Sequence, residues 1–294
     1  MNSPLETSAD KRQPDFSVPA AGSGGSFAYE PGKKMVCLDV DGTIVNHDGH
    51  MSEAVKEAGR AVVADGHTVV IATGRSLPAT LPVIELFGIE HGYAVCSNGG
   101  VTLRVDRSLE DGYEVLDRRI FDPAPALEAL SERLPTAKFA IETSAGTFLS
   151  TERFEDMSFG LSAQPVSFRQ MKDAQAVRLV VNSTDSTAQE FARAVEDIGL
   201  HGVTYAVGWS AWLDVSAAGV TKASSLNTLR EQMGIPQEET VAVGDGRNDI
   251  EMLRWAGRGV AMGQAVDEVV DAADEVTADV DNDGLVPVLR SLLG

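Results

Sequence analysis

The sequence predicts an α/β fold: a doubly wound, mostly parallel sheet that carries a large inserted α+β unit. Three observations lead there. Apolar runs such as Met35–Val40 (MVCLDV) are continuous and include or meet an acid, as central parallel strands covered on both faces do. Helix-patterned segments alternate with these runs, which implies right-handed crossovers. The alternation stops after Gly100, gives way to a cluster of strand-like segments, and resumes at Lys222.

The elements follow in order. Residues 1–32 are rich in Ser, Pro, Gly and Ala and bury too little apolar surface to offset their ordering entropy, so a mobile tail is expected. After the first strand, Ser52 caps a helix running to Asp65, with Val55, Ala58 and Val62 on one face and Gly66 as its stop. HTVVIATGR is the second strand. Ser76 can cap the next helix, whose first turn holds Pro78. YAVCSNGG is the third strand. The segments VTLRV, YEVLDRRIF, KFAIET, TFLS, AVRLVVNS, VTYAV and AWLDVS, with helices near 124–134 and 187–198, form the α+β unit. Helix 222–233, strand TVAVGD, helix 249–255, strand GVAM and two further helices complete the α/β part. The domains expected are therefore a tail at 1–32, a core built from 33–100 and 217–294, and an inserted unit at 101–216.

Composition narrows the function. The 294 residues carry a formal net charge of −20 with 43% hydrophobic residues. A sizeable core is possible, whereas nucleic acid and anionic membranes reward clustered Lys and Arg and are not expected partners. An anionic substrate would need a metal ion, a local cation or helix N-termini to offset this field. Cys37 and Cys96 sit inside apolar runs and read as inert core thiols without metal spacing, which suits a reducing, cytoplasmic compartment. The N-terminus shows no secretory pattern, and no apolar run is long enough to span a bilayer.

Doubly wound sheets bind ligands at the carboxyl ends of their strands. Those ends offer Asp39 and Asp41, then Thr73, Gly74 and Arg75, then Ser97 and Asn98, and later Asp245, Asn248 and Asp249. Asp39 and Asp41 straddle Val40, so in an extended segment their side chains would share one side and repel unless a cation lay between them or one held a proton. Asp245 makes a third acid. Oxygen-only ligands of this kind favour Mg²⁺, which also grips a phosphate.

DVDGT, TGR, the lysine of GVTKASSL and GDGRNDIEML, in that order, resemble the four motifs of the haloacid dehalogenase (HAD) superfamily. SNGG and the ending ADEVTADVDNDGLVPVL resemble its Cof-type branch, and the long spacing from Asn98 to Lys222 resembles a C2-type cap of subfamily IIB. The resemblance covers all but the tail. It implies a HAD-like, Rossmannoid core with an inserted cap domain, and a phosphatase acting on small phosphorylated metabolites such as sugar phosphates. Asp39 would be the nucleophile and form an aspartyl phosphate; Asp41 would be the general acid and base. Thr73 would hydrogen-bond the phosphoryl group and Lys222 would neutralise it. Mg²⁺ would be held by the carboxylate of Asp39, the main-chain carbonyl of Asp41 and Asp245, with Asn248 and Asp249 in support. Gly74, Arg75, Asn98 and cap residues such as Arg178 would face the leaving group. A carboxylate at position 41 implies fast hydrolysis or a phosphomutase acting on hexose phosphates. A non-catalytic phosphometabolite-binding module is the third reading.

Other features have plainer readings. His47 and His50 are expected in an exposed loop, Trp209 and Trp212 in cap packing, and Met252, Leu253 and Trp255 in the core. Asp279, Asp281, Asp283 and Gly284 match the first half of an EF-hand loop, but its twelfth position is Arg290, so Asp283 is expected to cap the last helix instead.

Overall fold

The computed structural model describes residues 30–151, 162–208 and 211–294. Residues 1–29 of the tail expected at 1–32, and Trp209, lie outside these residues. The elements run β1 (Met35–Leu38), α1 (Glu53–Ala64), β2 (Thr68–Ala72), α2 (Leu77–Phe87), β3 (His91–Cys96), β4 (Val101–Asp106) and β5 (Tyr113–Arg118). Then come α3 (Ala124–Arg133), β6 (Lys138–Thr143), β7 (Phe148–Ser150), β8 (Gln164–Pro165), α4 (Phe168–Lys172), β9 (Ala176–Asn182), α5 (Ala188–Ile198), β10 (Val203–Val207) and β11 (Trp212–Ala217). The chain closes with α6 (Lys222–Met233), β12 (Thr240–Gly244), α7 (Ile250–Trp255), β13 (Arg258–Ala261), α8 (Asp267–Val270), β14 (Glu275–Val276) and α9 (Leu285–Arg290).

One sheet has the order β14-β13-β12-β1-β2-β3-β4-β5. It is parallel from β14 to β3, and β4 and β5 are added antiparallel. All four residues of β1 are fully buried. Val36 and Leu38 pack towards α1, α2 and α9, while Met35 and Cys37 pack towards α6 and α7. That alternation explains the unbroken apolar run, since each face of a central strand meets helices. Strand order reverses at β1, with β2 on one side and β12 on the other, so the crevice beyond β1 is the switch point where ligands bind.

The second sheet has the order β10-β11-β9-β6-β7-β8. Phe139, Ile141, Leu179, Val181, Leu213 and Val215 pack against α3 and α5. Period two sends their neighbours Glu142, Arg178 and Asp214 to the opposite face. Glu142 pairs in register with Arg178, and Asp214 lies on the next strand.

Three expectations change. The boundary at residue 101 is wrong, because β4 and β5 hydrogen-bond to β3 and extend the first sheet; SNGG simply reverses the chain. The second sheet begins only with β6. Asp283 does not cap α9: Gly284 holds that position, while Asp283 takes a left-handed conformation and accepts a hydrogen bond from Ser52 Oγ at 2.6 Å. Ser52 does cap α1, accepting from Val55 N, but Ser76 stands at the N-cap of α2 without a capping bond. His47 and His50 are exposed, Met252 and Leu253 are buried, and half-buried Trp255 packs beside them. Cys37 and Cys96 are free and buried, and burial pushes the Cys96 thiol up to about 12.

The two sheets meet through a buried polar contact. Ser97 Oγ, just after β3, donates to Glu142 Oε2 on β6 at 2.5 Å, and Arg118 Nη1 lies 3.9 Å from Glu142 Oε1. Burial raises the Glu142 carboxyl, opposed by Ser97, Arg178 and Arg118. Removing this carboxylate strands a hydroxyl and weakens the partnering of two arginines. Glu142→Ala is therefore expected to lower unfolding free energy by about 3 kcal/mol in denaturant titration. A loss under about 0.5 kcal/mol would contradict it.

Candidate active site

Asp39 follows β1 directly, its N–H donating to Val243 O of β12. It is 5% exposed. Lys222, first residue of α6, is fully buried and donates from Nζ to Asp39 Oδ1 at 2.6 Å and to Asp249 Oδ1 at 2.7 Å. Asp249 Oδ2 accepts from the N–H groups of Asp245 and Gly246, at 3.1 and 2.9 Å. Burial alone would lower the Lys222 ammonium, but Asp249 and Asp39 outweigh it and drive the pKa up, so this cation is permanent. Burial, then Asp249, pushes the Asp39 carboxyl well up, with Lys222 opposing and Asp245 and Asp41 adding to the rise. Burial, then Asp249, raises Asp245 to about 6, and its hydrogen bond from Gln264 opposes that.

Carboxylate oxygens of Asp39, Asp245 and Asp249 lie within 4.8 Å of one another. Both oxygens of Asp249 are engaged, by Lys222 and by two backbone N–H groups, so Asp249 is a strut. Asp39 and Asp245 each use one oxygen in the hydrogen bonds above and keep the other. Carboxylates crowded in a buried pocket repel, and an oxygen-only donor set fits a hard divalent cation.

Asp41 departs from the sequence argument. It does not lie beside Asp39 on a continuing strand, because β1 ends at Leu38 and the chain turns at Gly42, φ +83°. The Asp41 carboxylate is 60% exposed and is held by Arg75 in a two-point pair, Nε to Oδ2 at 2.9 Å and Nη2 to Oδ1 at 2.5 Å. Gly42 is needed twice over. Its φ is left-handed, and a Cβ there would lie 2.2 Å from Asp245 Oδ2.

Thr73 is fully buried, with Oγ1 accepting from Arg75 N at 3.0 Å. Asn98 is 9% exposed and left-handed; its Oδ1 accepts from Asn248 Nδ2 at 2.9 Å, and its own Nδ2 is a buried donor without a partner. A Cβ on Gly74 would sit 3.2 Å from Asn98 Oδ1, so those two residues also meet.

Gln264 escaped the sequence reading. Its Nε2 donates to Gly42 O at 2.6 Å and to Asp245 Oδ2 at 3.1 Å, while Oε1 accepts from Val280 N at 3.0 Å. It ties the Asp41–Gly42 turn to Asp245. Carrying the strand-end rule on to the end of β13 would have found it. Nothing in the sequence flagged Glu142 or Asp214, whose neighbours come from distant strands.

Beside Lys222 opens a cleft of about 90 Å³, lined by Asn98, Asn248 and Arg247 from the first sheet's loops and by Arg178, Tyr205 and Asp214 from the second sheet. The second sheet thus roofs the cleft beside Lys222.

Comparison with known proteins places this architecture. The sequence profile of the haloacid dehalogenase-like hydrolases matches residues 36–289. Phosphatase YwpJ of Bacillus subtilis is 27% identical, covering 88% of this chain and 100% of YwpJ. A phosphoglycolate phosphatase of Methanoculleus marisnigri is 27% identical, covering 87% of this chain and 95% of its own length. The solved HAD subclass IIB sugar phosphatase BT4131 superposes with a TM-score of 0.72 at 27% identity, covering 88% of this chain and 98% of that one. The chain belongs to the haloacid dehalogenase-like hydrolase family, and its enzyme class is that of a phosphatase. Among the described residues no helix is long and apolar enough to cross a membrane.

Gly42→Ala tests the close approach of turn and acid. The new methyl must push Asp245 aside, and a displacement of about 1 Å costs roughly 100-fold in turnover. Phosphate release from an aryl phosphate should fall by that factor with an unchanged far-ultraviolet spectrum. Wild-type turnover would show that the approach is not needed.

Proposed function

We propose that this chain is a Mg²⁺-dependent phosphatase of small phosphorylated metabolites, sugar phosphates or similar monoesters, working through a phosphoaspartate on Asp39 in a cytoplasmic setting. The observation that carries it is the buried Asp39 carboxylate at the switch point, 2.6 Å from a permanent ammonium and beside Asp245. Asp39, Asp245 and the main-chain carbonyl of Asp41 would hold the metal, which when bound supplies charge neutralisation on the phosphoryl oxygens.

The protein groups do the rest. Asp39 attacks phosphorus, and the P–O bond to the alcohol breaks as Asp41 gives the leaving oxygen a proton. Asp41 then takes a proton from water as that water attacks the phosphoaspartate, restoring Asp39 and releasing phosphate. Lys222 neutralises Asp39 and the phosphoryl oxygens near it. Its position is set by Asp249, which cannot turn away while it accepts two backbone N–H groups. Arg75 holds the exposed Asp41 carboxylate in its two-point pair and would share it with the leaving group when a substrate enters. Asn98, with its buried unpartnered amide, can donate to a substrate oxygen.

The decisive experiment is phosphate release from an aryl phosphate with Mg²⁺. Asp39→Asn should be inactive, and chelator should abolish turnover reversibly. Undiminished activity in either case overturns the proposal, and isomerisation of a hexose phosphate without phosphate release would favour a mutase. Gln264→Ala should raise the Mg²⁺ concentration for half-maximal activity by about 10-fold, because residues that orient metal ligands carry about that much affinity. An unchanged metal titration would remove Gln264 from that role.

A further inference from the structure

Resting on the phosphatase reading above, we infer that Glu142 of the second sheet is a positioning residue for the reaction. Through Ser97 it holds Asn98 at the cleft wall, so the second sheet's grip on that loop sets how firmly the substrate is held.

The anomaly is the serine. Ser97 and Asn98 are consecutive left-handed residues, at φ +52° and +53°. Asparagine tolerates this region because its short polar side chain bonds locally; serine has no such advantage, and glycine would take the same backbone without strain. What serine brings is Oγ, which donates to Glu142 Oε2 at 2.5 Å, both residues being buried. Backbone strain of this kind persists only where the surroundings over-determine it, and it gathers at sites of function. Glu142 is a firm anchor for it. Its strand neighbours Phe139 and Ile141 pack against α3 and α5, and around its carboxylate stand Arg118 and an Arg178 that Asp214 holds at 2.6 Å.

The residue that this backbone presents is Asn98. Its N–H donates to Thr73 O at 3.0 Å, and Ser97 N donates to Arg75 O at 2.8 Å, so the loop is tied to the turn that carries Thr73 and Arg75. Its side chain accepts from Asn248 and lines the cleft beside Lys222, with Nδ2 left as a buried donor available to a substrate oxygen. Both sheets press on the loop. A Cβ on Gly99 would lie 2.3 Å from the carbonyl oxygen of Thr221, which precedes Lys222, and a Cβ on Gly100 would lie 2.6 Å from Val177 Cγ1 of β9. Main-chain bonds fix where the loop runs, and the Ser97 hydroxyl fixes the rotation at Ser97 itself. Released from Glu142, Ser97 can relax towards the commoner right-handed region, and any change in its φ or ψ swings the Asn98 amide.

Ser97→Gly is the test, because it removes the hydroxyl and accepts the same left-handed backbone without strain. The substrates are 4-nitrophenyl phosphate and, from a panel of hexose phosphates, the one the wild type hydrolyses best. For at least one of the two, KM should rise about tenfold with kcat within about twofold, as the loss of one substrate hydrogen bond requires. A purely structural contact gives another pattern: a smaller folded fraction lowers kcat and leaves KM alone. Asn98→Gly should show the same rise, and the double variant should be no worse than Asn98→Gly by itself, since both act through one amide. Glu142→Gln keeps an oxygen to accept from Ser97 and should stay within about twofold of the wild-type KM. An unchanged KM in Ser97→Gly, multiplied losses in the double variant, or a rise of about tenfold in Glu142→Gln each overturn the inference while the phosphatase reading stands. If Ser97→Gly does not fold, Ser97→Ala is read in its place; failure of both to fold makes the contact structural alone and overturns the inference. Wild-type protein that leaves the aryl phosphate intact overturns the phosphatase reading and this inference together.

Discussion

The ammonium of Lys222, fully buried between Asp39 and Asp249, is the interaction on which the site depends. A lone charge at that depth would be lost to neutralisation, and a carboxylate there would take up a proton. Together they persist because every charge has a close partner. The bridge spans the chain, joining the end of β1, the start of α6 and the turn after β12. Asp249 carries the constraint onward, since its second oxygen fixes the backbone N–H groups of Asp245 and Gly246. Even the glycine at 244 answers to it, because a Cβ there would lie 2.5 Å from the Asp249 carboxylate. One cation thus sets Asp39 and, through Asp249, the backbone that presents Asp245.

The sheet makes that convergence possible and the second sheet closes it. β1 and β12 are paired neighbours, so residues more than 200 apart in sequence leave adjacent strand ends. The second sheet reaches the site with its polar face, because its apolar face is spent on α3 and α5. Ser97–Glu142 joins the two sheets next to Asn98. Ser97, Asn98 and Gly99 are all left-handed, a costly backbone for the first two, and it is held from both sides: Glu142 grips Ser97, while Ser225 Oγ donates to Gly99 O at 2.9 Å. Loop strain and sheet contact therefore support each other at the rim of the cleft.

The sequence was legible where a rule has a short range. Apolar runs, caps and strand-end acids announced the parallel strands, α1 and the acids at 39, 245 and 249. The boundary at 101 failed because antiparallel strands beyond a reversed turn look alike whether they extend one sheet or begin another; hydrogen-bond partners decide that, and strand pattern does not. Asp283 failed for a similar reason. An acid before a helix is a good cap until a distant Ser52 takes its oxygen. Gln264, Glu142 and Asp214 stayed hidden because their roles come from cross-strand neighbours that local spacing does not reveal.

Asp39 and Asp41 show how one turn separates two chemically identical side chains. Two residues apart, they were expected to share a side and a cation. The strand ends at Leu38 before either acid and the chain turns at Gly42, where Asp245 fills the space a side chain would take. Asp39 is left buried against an ammonium. Asp41 is left at the solvent edge against a guanidinium. Placing two carboxylates in unlike surroundings divides labour between them without changing residue type. The steric demand on Gly42 therefore bears directly on the site: the turn that follows Asp41 can pack against Asp245 only because a Cβ is missing.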